Sequence, residues 1–375
     1  MERNRTHRSK KRLLLNAEPF GFGPTAAIAS FFPFLRERFH TIGYIGKRHT
    51  LDLQRPLPYD EVIDLTSLTE EEELKVTKAA LNQYDVFFTA LDFQLASLAR
   101  ELGTVTAIYD PLTWYWRTVP EIIATCDLYI AQQFLGVADR MEQNPRQFAQ
   151  ARMVSPIVEQ HARVQPDTIL INLGGLQNPF WSVDDATQYA RMMLQAIVPQ
   201  LPKQTLLVIA TSSAVARQIP EWPVRSYSHT EMENILKKTR YAFMTPGLGN
   251  IYTAAAYDLP TVWLPPANDS QGQQLELLVQ YGCADGTVDW KDLLQTGSIE
   301  YASEQSIVLT QITESVHQLH TQQQLQQRLS ERIAQEATRV ASLHSSNLTQ
   351  LLTKFGHGGA SQVAVLTHQL AEGAL

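Results

Sequence analysis

The stretch TPGLGNIYTAAA, residues 245–256, couples a glycine turn to a run of small side chains. Glycines where a strand turns into a helix let the backbone approach a ligand closely, because no Cβ intervenes. The helix that follows presents N–H groups without acceptors and a partial positive charge, which suits a phosphate or diphosphate. Gly247, Gly249 and the amides near Asn250 and Ile251 would line such a site, and the alanines would let the helix lie close to its sheet. A plain helix cap beside a tightly packed sheet would use the same residues. Other segments share this character: NAEPFGFGP (16–24), NLGGLQNPFW (172–181), ATSSAVARQ (210–218) and PPANDSQGQQ (265–274) all carry glycines or closely spaced small polar residues. The serines of ATSSAVA lack the GxSxG elbow of a hydrolase nucleophile.

The elements around these loops alternate. RLLLN (12–16), FHTIGYIG (39–46), DVFFTA (85–90), VTAIYD (105–110) and LYIAQQF (128–134) read as strands. Helical patterns separate them, among them TAAIASFFPFLRER, EEEELKVTKAALNQ and DFQLASLARELG. This alternation implies βαβ units and a mostly parallel sheet. The pattern resets after the proline-bounded SPIVEQHARVQPD (155–167). TILINLGG (168–175), QTLLVIAT (204–211), YAFMT (241–245) and TVWLP (261–265) are strands of a second half. Asp184 and Asp185 open an amphipathic helix, where acids are expected for capping. A glutamine-rich tail is helical to about residue 355. In open sheets of this kind ligands bind beyond the carboxyl ends of the strands, where all the loops above fall. The expected domains are a disordered basic tail (1–12), an N-terminal Rossmann-like domain (13–160), a second one (166–300) and a helical segment (301–375).

Composition narrows the function classes. The 375 residues are 44% hydrophobic and 18% charged, which suits globular cores, and the formal net charge is −7. That balance argues against a general nucleic-acid binder. The cysteines, Cys126 and Cys283, form no disulfide framework or thiolate cluster, so a reducing cytoplasm is expected. MERNRTHRSKKRLLLNAEPF has a basic front, but Leu13–Leu15 is too short for a secretory h-region. No stretch approaches the roughly 20 apolar residues of a membrane span. No HExxH pattern occurs, and His317 and His320 are expected to face solvent.

The segments TILINLGGLQNPF and TEMENILKKTRYAFMTPGLGNIYTAAAYDLPTVWLPPANDSQGQQLELLVQYG, set in twin halves, resemble the GT-B glycosyltransferases. The likeness is to the branch containing the UDP-N-acetylglucosamine transferase of peptidoglycan synthesis. More narrowly, NAEPFGFGPTAAIASFFPFL with TPGLGNIYTAAAYDLPTVWLPPANDSQ is similar to the cytosylglucuronate synthases, which join glucuronate from UDP-glucuronate to cytosine. The resemblance spans most of the chain and is most specific over residues 168–282.

The resemblance implies an α/β fold of two Rossmann-like, doubly wound domains facing a cleft, with C-terminal helices. A nucleotide-sugar donor would lie on the second domain and a small-molecule acceptor on the first, with no cofactor. It sets Gly174 and Gly175 near the cleft and the loop from Tyr227 to His229 against the base. The turn of Pro246, Gly247, Gly249 and Asn250 would face the diphosphate. Asn268, Asp269, Ser270, Gln271, Gln273 and Gln274 would hold sugar hydroxyls, for which amides and short acids are suited. An ordinary surface turn and helix start is the alternative for that run. Thr253 stands where relatives carry a glutamate that grips the ribose, and a threonine hydroxyl cannot accept bidentately. The nucleotide's identity is therefore open.

On the first domain the resemblance places the acceptor and the general base at Glu18 and the loop of Phe20, Gly21 and Gly23. An inverting transferase needs one base for the acceptor proton and electrostatic help for the departing diphosphate. Glu18 is the first choice of base, Asp110 the second and Asp92 the third; each could instead stabilise a turn or cap a helix. Trp114, Tyr115 and Trp116 could stack on a flat acceptor or fill an interdomain seam. No DxD-type motif follows a strand, so metal-independent chemistry is expected. A nucleotide-sugar epimerase or hydrolase, and a non-catalytic binding subunit, fit the same architecture.

Overall fold

The computed structural model describes residues 9–20, 22–176, 181–294 and 298–375. The chain forms two compact units. One runs to Val158 and includes Phe355–Leu375, and the other is Glu159–Lys354.

Among the described residues the first unit is built on a seven-stranded parallel sheet. Its strands are β1 (Ser9–Ala17), β2 (Phe39–Gly46), β3 (Glu61–Asp64), β4 (Val86–Ala90), β5 (Val105–Asp110), β6 (Leu128–Gln132) and β7 (Ala151–Val154). Helices cover both faces, so central strands run through near-continuous apolar stretches rather than alternating ones. Leu13, Leu14 and Leu15 are all fully buried. The order β3-β2-β1-β4-β5-β6-β7 means that the chain first winds outward from β1 to β3, then returns to β1's other flank at β4. The sheet order reverses between β1 and β4, where a ligand crevice is expected.

The second unit repeats the plan. Its strands are β8 (Thr168–Asn172), β9 (Leu206–Ala210), β10 (Val224–Arg225), β11 (Thr239–Met244), β12 (Thr261–Trp263) and β13 (Gly286–Thr287). Their order, β10-β9-β8-β11-β12-β13, reverses between β8 and β11. The helix Val183–Ile197 starts at a capping box of Ser182 and Asp185 and buries Tyr189, Met193 and Ile197 in the core. The helices Gln305–Thr321 and Gln323–Ala341 complete that core through Ile312, Val316, Leu329 and Ile333. Most of their glutamines occupy the outer faces.

Two boundaries differ from the sequence reading. The basic tail ends earlier than residue 12, because β1 already begins at Ser9. Ser9 N–H donates to the Arg38 carbonyl at 2.7 Å, and Arg12 N–H donates to Asp85 at 2.8 Å. The C-terminal helices are also not one segment. A further helix, Gly359–Ala371, follows residue 355 and packs in the first unit, with Val363 and Ala364 buried in its core. The break falls at Gly356 and Gly358, both at positive φ. Among the described residues no helix is long and apolar enough to cross a membrane.

The docking of this last helix depends on close backbone approach at its first residue. A Cβ on Gly359 would lie 1.8 Å from the Ser155 carbonyl oxygen, which is main chain and cannot swing aside. Gly359→Ala is therefore expected to cost about 1–3 kcal/mol and lower the unfolding midpoint by calorimetry. An unchanged midpoint would contradict this packing.

Candidate functional site

The carboxyl end of the first sheet gathers charged groups at its reversal point. Glu18 follows β1, and its N–H donates to the Ala90 carbonyl of β4 at 2.9 Å, which carries the loop over the crevice. Asp92 follows β4 and caps the helix Phe93–Glu101 by accepting from Leu95 N–H at 2.9 Å. Lys47 follows β2 and pairs with Glu73 at 2.7 Å. Burial, then the negative charge of Asp92, push Glu18 up to about 7, while Lys47 opposes the rise. Burial also raises Asp92, against the Leu95 N–H bond and Lys47. Two desolvated carboxylates near one another cannot both ionise freely, so Glu18 is poised to take up a proton near neutral pH.

Asp110, the second choice of base, is fully buried at the end of β5. It accepts from Trp116 Nε1 and Tyr129 OH, both at 2.6 Å, and from Leu112 N–H. These three bonds make it an anchor for the Trp116 loop, while burial pushes it up to about 6 against their pull. Trp116 is half-buried and meets Phe93 and Tyr115 edge to face, each at 5.1 Å. Trp114 is buried and packs on Phe134 at 5.8 Å, so it fills the first unit's interior. The aromatic surface is Phe93, Tyr115 and Trp116. Phe20 is half-buried beside Glu18 in sequence, and Gly23 opens the helix Gly23–Arg36 with free space where a Cβ would stand. Gly21 lies outside the described residues.

The reversal point of the second sheet carries the glycine turns. Gly174 has φ +68°, in the left-handed region that favours glycine, and a Cβ there would meet Thr245 Oγ1 at 3.1 Å. The Gly174 carbonyl accepts from Thr211 Oγ1 at 3.0 Å, and Gly175 follows it half-buried. After β11 comes Pro246, buried, then Gly247 as N-cap of the helix Leu248–Ala256. The first helix amide with an acceptor is Ile251 N–H, bonded to Gly247 O at 3.0 Å. Among the described residues the amides of Leu248, Gly249 and Asn250 have none, as at any uncapped helix start. A Cβ on Gly249 would meet nothing within 4 Å.

The polar run after β12 is mostly engaged in its own helix start. Asn268 caps the helix Asp269–Gln280, accepting from Gln271 N–H at 2.9 Å and Ser270 Oγ at 3.0 Å. Asp269 is buried, with Gln305 Nε2 at 3.4 Å. Gln273 donates to the Tyr301 carbonyl at 3.0 Å, and Gln274 is buried. Gln271 accepts from Ala267 N–H at 2.9 Å, and its amide nitrogen is the atom nearest a Cβ on Gly247, at 3.9 Å. Of the run, Gln271 is the side chain presented to the glycine turn. The Tyr227 ring lies under the Arg225 guanidinium at 4.8 Å, just before the helix His229–Lys238. The His229 side chain lies outside the described residues. No group of three or more His, Cys, Asp or Glu among the described residues is placed to hold a metal.

Lys47 and Glu73 were not visible as site residues from sequence, since each sits in an ordinary polar context. Asn16 and Asn172 also went unnoticed, although the parallel LLLN (13–16) and ILIN (169–172) could have flagged them.

No protein-family model and no curated protein sequence matches the chain. Its structure is similar to solved glycosyltransferases over nearly its whole length. An O. sativa protein solved with U2F and trichothecene aligns at a TM-score of 0.56 and 12% identity, covering 96% of this chain and 100% of that one. A UDP-glucosyltransferase from Polygonum tinctorium aligns at 0.53 and 11%, covering 97% and 99%. The glycotransferase of kitacinnamycin aligns at 0.50 and 16%, covering 97% and 100%. The fold is that of the GT-B glycosyltransferases.

The raised Glu18 makes a prediction independent of activity. Its ordinary value is 4.5 and its folded value about 7, so the folded state binds the proton more tightly. Stability is then lost as pH rises from 4.5 through 7. Glu18→Gln should exceed the wild type in stability at pH 8 by about 1–2 kcal/mol, allowing for partial exposure, and match it near pH 4. Urea unfolding at both pH values checks this; a pH-independent gap would refute it.

Proposed function

We propose that this protein is a glycosyltransferase that moves a sugar from a nucleotide-sugar donor to a small-molecule acceptor. The observation that carries the reading is Glu18, a carboxylate held near 7 at the reversal point of the first sheet of a GT-B fold. A general base works best when its pKa lies near the operating pH. Glu18 takes the acceptor proton as the acceptor atom bonds to the sugar's anomeric carbon. The bond from that carbon to the diphosphate oxygen breaks, and the nucleoside diphosphate leaves with the electron pair. Its charge is met by the amides of Leu248, Gly249 and Asn250 at the start of the second unit's helix. Because backbone amides supply that charge, turnover is expected to survive EDTA.

A UDP-linked donor is the first choice, supported by the resemblance and by a UDP-glucosyltransferase among the similar structures; UDP-glucuronate is the narrower candidate. The aromatic surface of Phe93, Tyr115 and Trp116 suits a flat acceptor. Cys126 and Cys283 are buried and free, in keeping with a reducing cytoplasm. Thr253 favours a second reading, a non-catalytic subunit with weakened nucleotide binding.

Screening a panel of UDP-sugars against planar acceptors tests the first reading. Glu18→Gln should lower kcat by about 10²–10⁴ while leaving donor Kd within about twofold. Wild-type kcat/KM should rise with pH and level off above about 7, where Glu18 is ionised. Equal turnover in the variant would remove Glu18 from the role, and no turnover with any donor would favour the second reading. Thr253→Glu adds a carboxylate where the resemblance places the ribose contact, and should tighten UDP binding about tenfold by calorimetry. Unchanged affinity would mean that the ribose does not lie against this turn of the helix.

A further inference from the structure

We propose that Asn172 is the positioning residue of the second unit's anion-binding turn, holding the amides of Leu248, Gly249 and Asn250 in place for a nucleoside diphosphate. The inference rests on the donor reading above and adds to it a residue that touches no ligand. Asn172 ends β8, beside Met244 of β11, where the sheet order reverses. Its Oδ1 accepts from Gly174 N–H at 3.0 Å, and its Nδ2 donates to Asn250 Oδ1 at 3.1 Å. Asn250 in turn donates its Nδ2 to the Thr245 carbonyl at 2.9 Å and to Thr245 Oγ1 at 3.3 Å. The Gly174 carbonyl accepts from Thr211. One carboxamide thus ties the loop after β8 to the one after β11, and Thr211 joins the loop after β9 to it through the Gly174 carbonyl.

The residue type is demanding. The position needs a donor and an acceptor on one short side chain, pointing to different loops. Aspartate would keep the bond from Gly174 but lose the one to Asn250, and it would set a negative charge beside an anion. Every side chain in the chain Thr211, Asn172, Asn250, Thr245 is neutral, so the partial positive charge of the helix start is left uncancelled. The Asn250 side chain is turned into this network, which leaves its backbone N–H to face a ligand. The first unit uses the same device at its own reversal point. Asn16 lies beside Thr89 across β1 and β4, accepts from Thr89 Oγ1 at 2.7 Å and donates to the Ile45 carbonyl at 3.1 Å. The repetition shows what the fold asks of the residue: to close a gap that sheet hydrogen bonds leave open.

The test compares Asn172→Ala, Asn172→Asp and Asn250→Ala with Ser346→Ala. Ser346 donates to Asp285 at 2.6 Å elsewhere in the second unit, so its variant controls for a general loss of stability. In the ligand-free protein, hydrogen exchange at the bonded amides of Thr245, Gly247 and Ile251 should quicken about tenfold in Asn172→Ala and not in Ser346→Ala. By calorimetry with UDP, Kd should weaken about tenfold in Asn172→Ala and further in Asn172→Asp, and hold in Ser346→Ala. Asn250→Ala should behave like Asn172→Ala, and the double variant should lose no more than either alone. Unchanged exchange with UDP affinity within twofold of wild type would overturn the proposal. So would a Ser346→Ala loss as large as that of Asn172→Ala. If the wild type binds no UDP while Asn172→Ala still loosens the segment, the donor reading falls and the positioning role stands.

Discussion

Both units are organised by the same constraint, the reversal of strand order beside the first strand. A parallel sheet built by right-handed crossovers sends successive helices to one face until the winding direction changes. At the change, β1 and β4, and likewise β8 and β11, send their outgoing loops to opposite sides. A crevice opens there that no regular hydrogen bond closes. The crevice must be stitched by side chains, and in both units an asparagine at the end of the first strand does so. What remains unstitched is available to a ligand.

The two crevices differ in the sign of what they leave exposed. In the first unit the groups are ionisable: Glu18, Asp92 and Glu73 set against Lys47. In the second they are backbone amides framed by neutral side chains. A negative site lifts carboxylate pKa values and invites a proton, while a site of oriented amides invites an anion. Under the proposed function, the first field suits proton uptake and the second suits leaving-group charge. Asp110 sits deeper, where burial pushes it up to about 6 although three hydrogen-bond donors oppose the rise, and it fixes Trp116.

The strands read correctly from sequence are the internal ones. β1, β2, β4, β5, β6, β8, β9, β11 and β12 are flanked on both sides, so most of them are near-continuous apolar runs. The strands missed, β3, β7, β10 and β13, are the edges of the two sheets, short and largely polar or small, with little to mark them. The glycine turn at residues 246–249 was legible because its chemistry is local. In the run from Asn268 to Gln274 the sequence left two readings open, since amides that can grip a sugar can equally cap a helix, as Asn268 does, or bond the rest of the unit, as Gln273 does. Lys47 and Glu73 were out of reach, since only the fold brings residues from two different segments to the same strand end. That the last helix packs in the first unit was out of reach for a related reason. Its apolar face is modest, and its partner is the helix Gly23–Arg36, more than three hundred residues earlier in the chain.

A glutamate base has a consequence that a histidine would not. A histidine titrates near neutrality without help, and it becomes a cation when it accepts the proton. Glu18 reaches the same range only through burial and the repulsion of Asp92, and protonation makes it neutral. Under the proposed function, taking the acceptor proton would relieve an unfavourable charge pair instead of creating a new ion, and leave the site with less charge than it began. The same repulsion makes the ionised resting state less stable, so the readiness of Glu18 to accept a proton and its cost to folding above neutral pH have one physical origin. Asp92, tied to the helix Phe93–Glu101 by its cap, cannot move away to ease that strain.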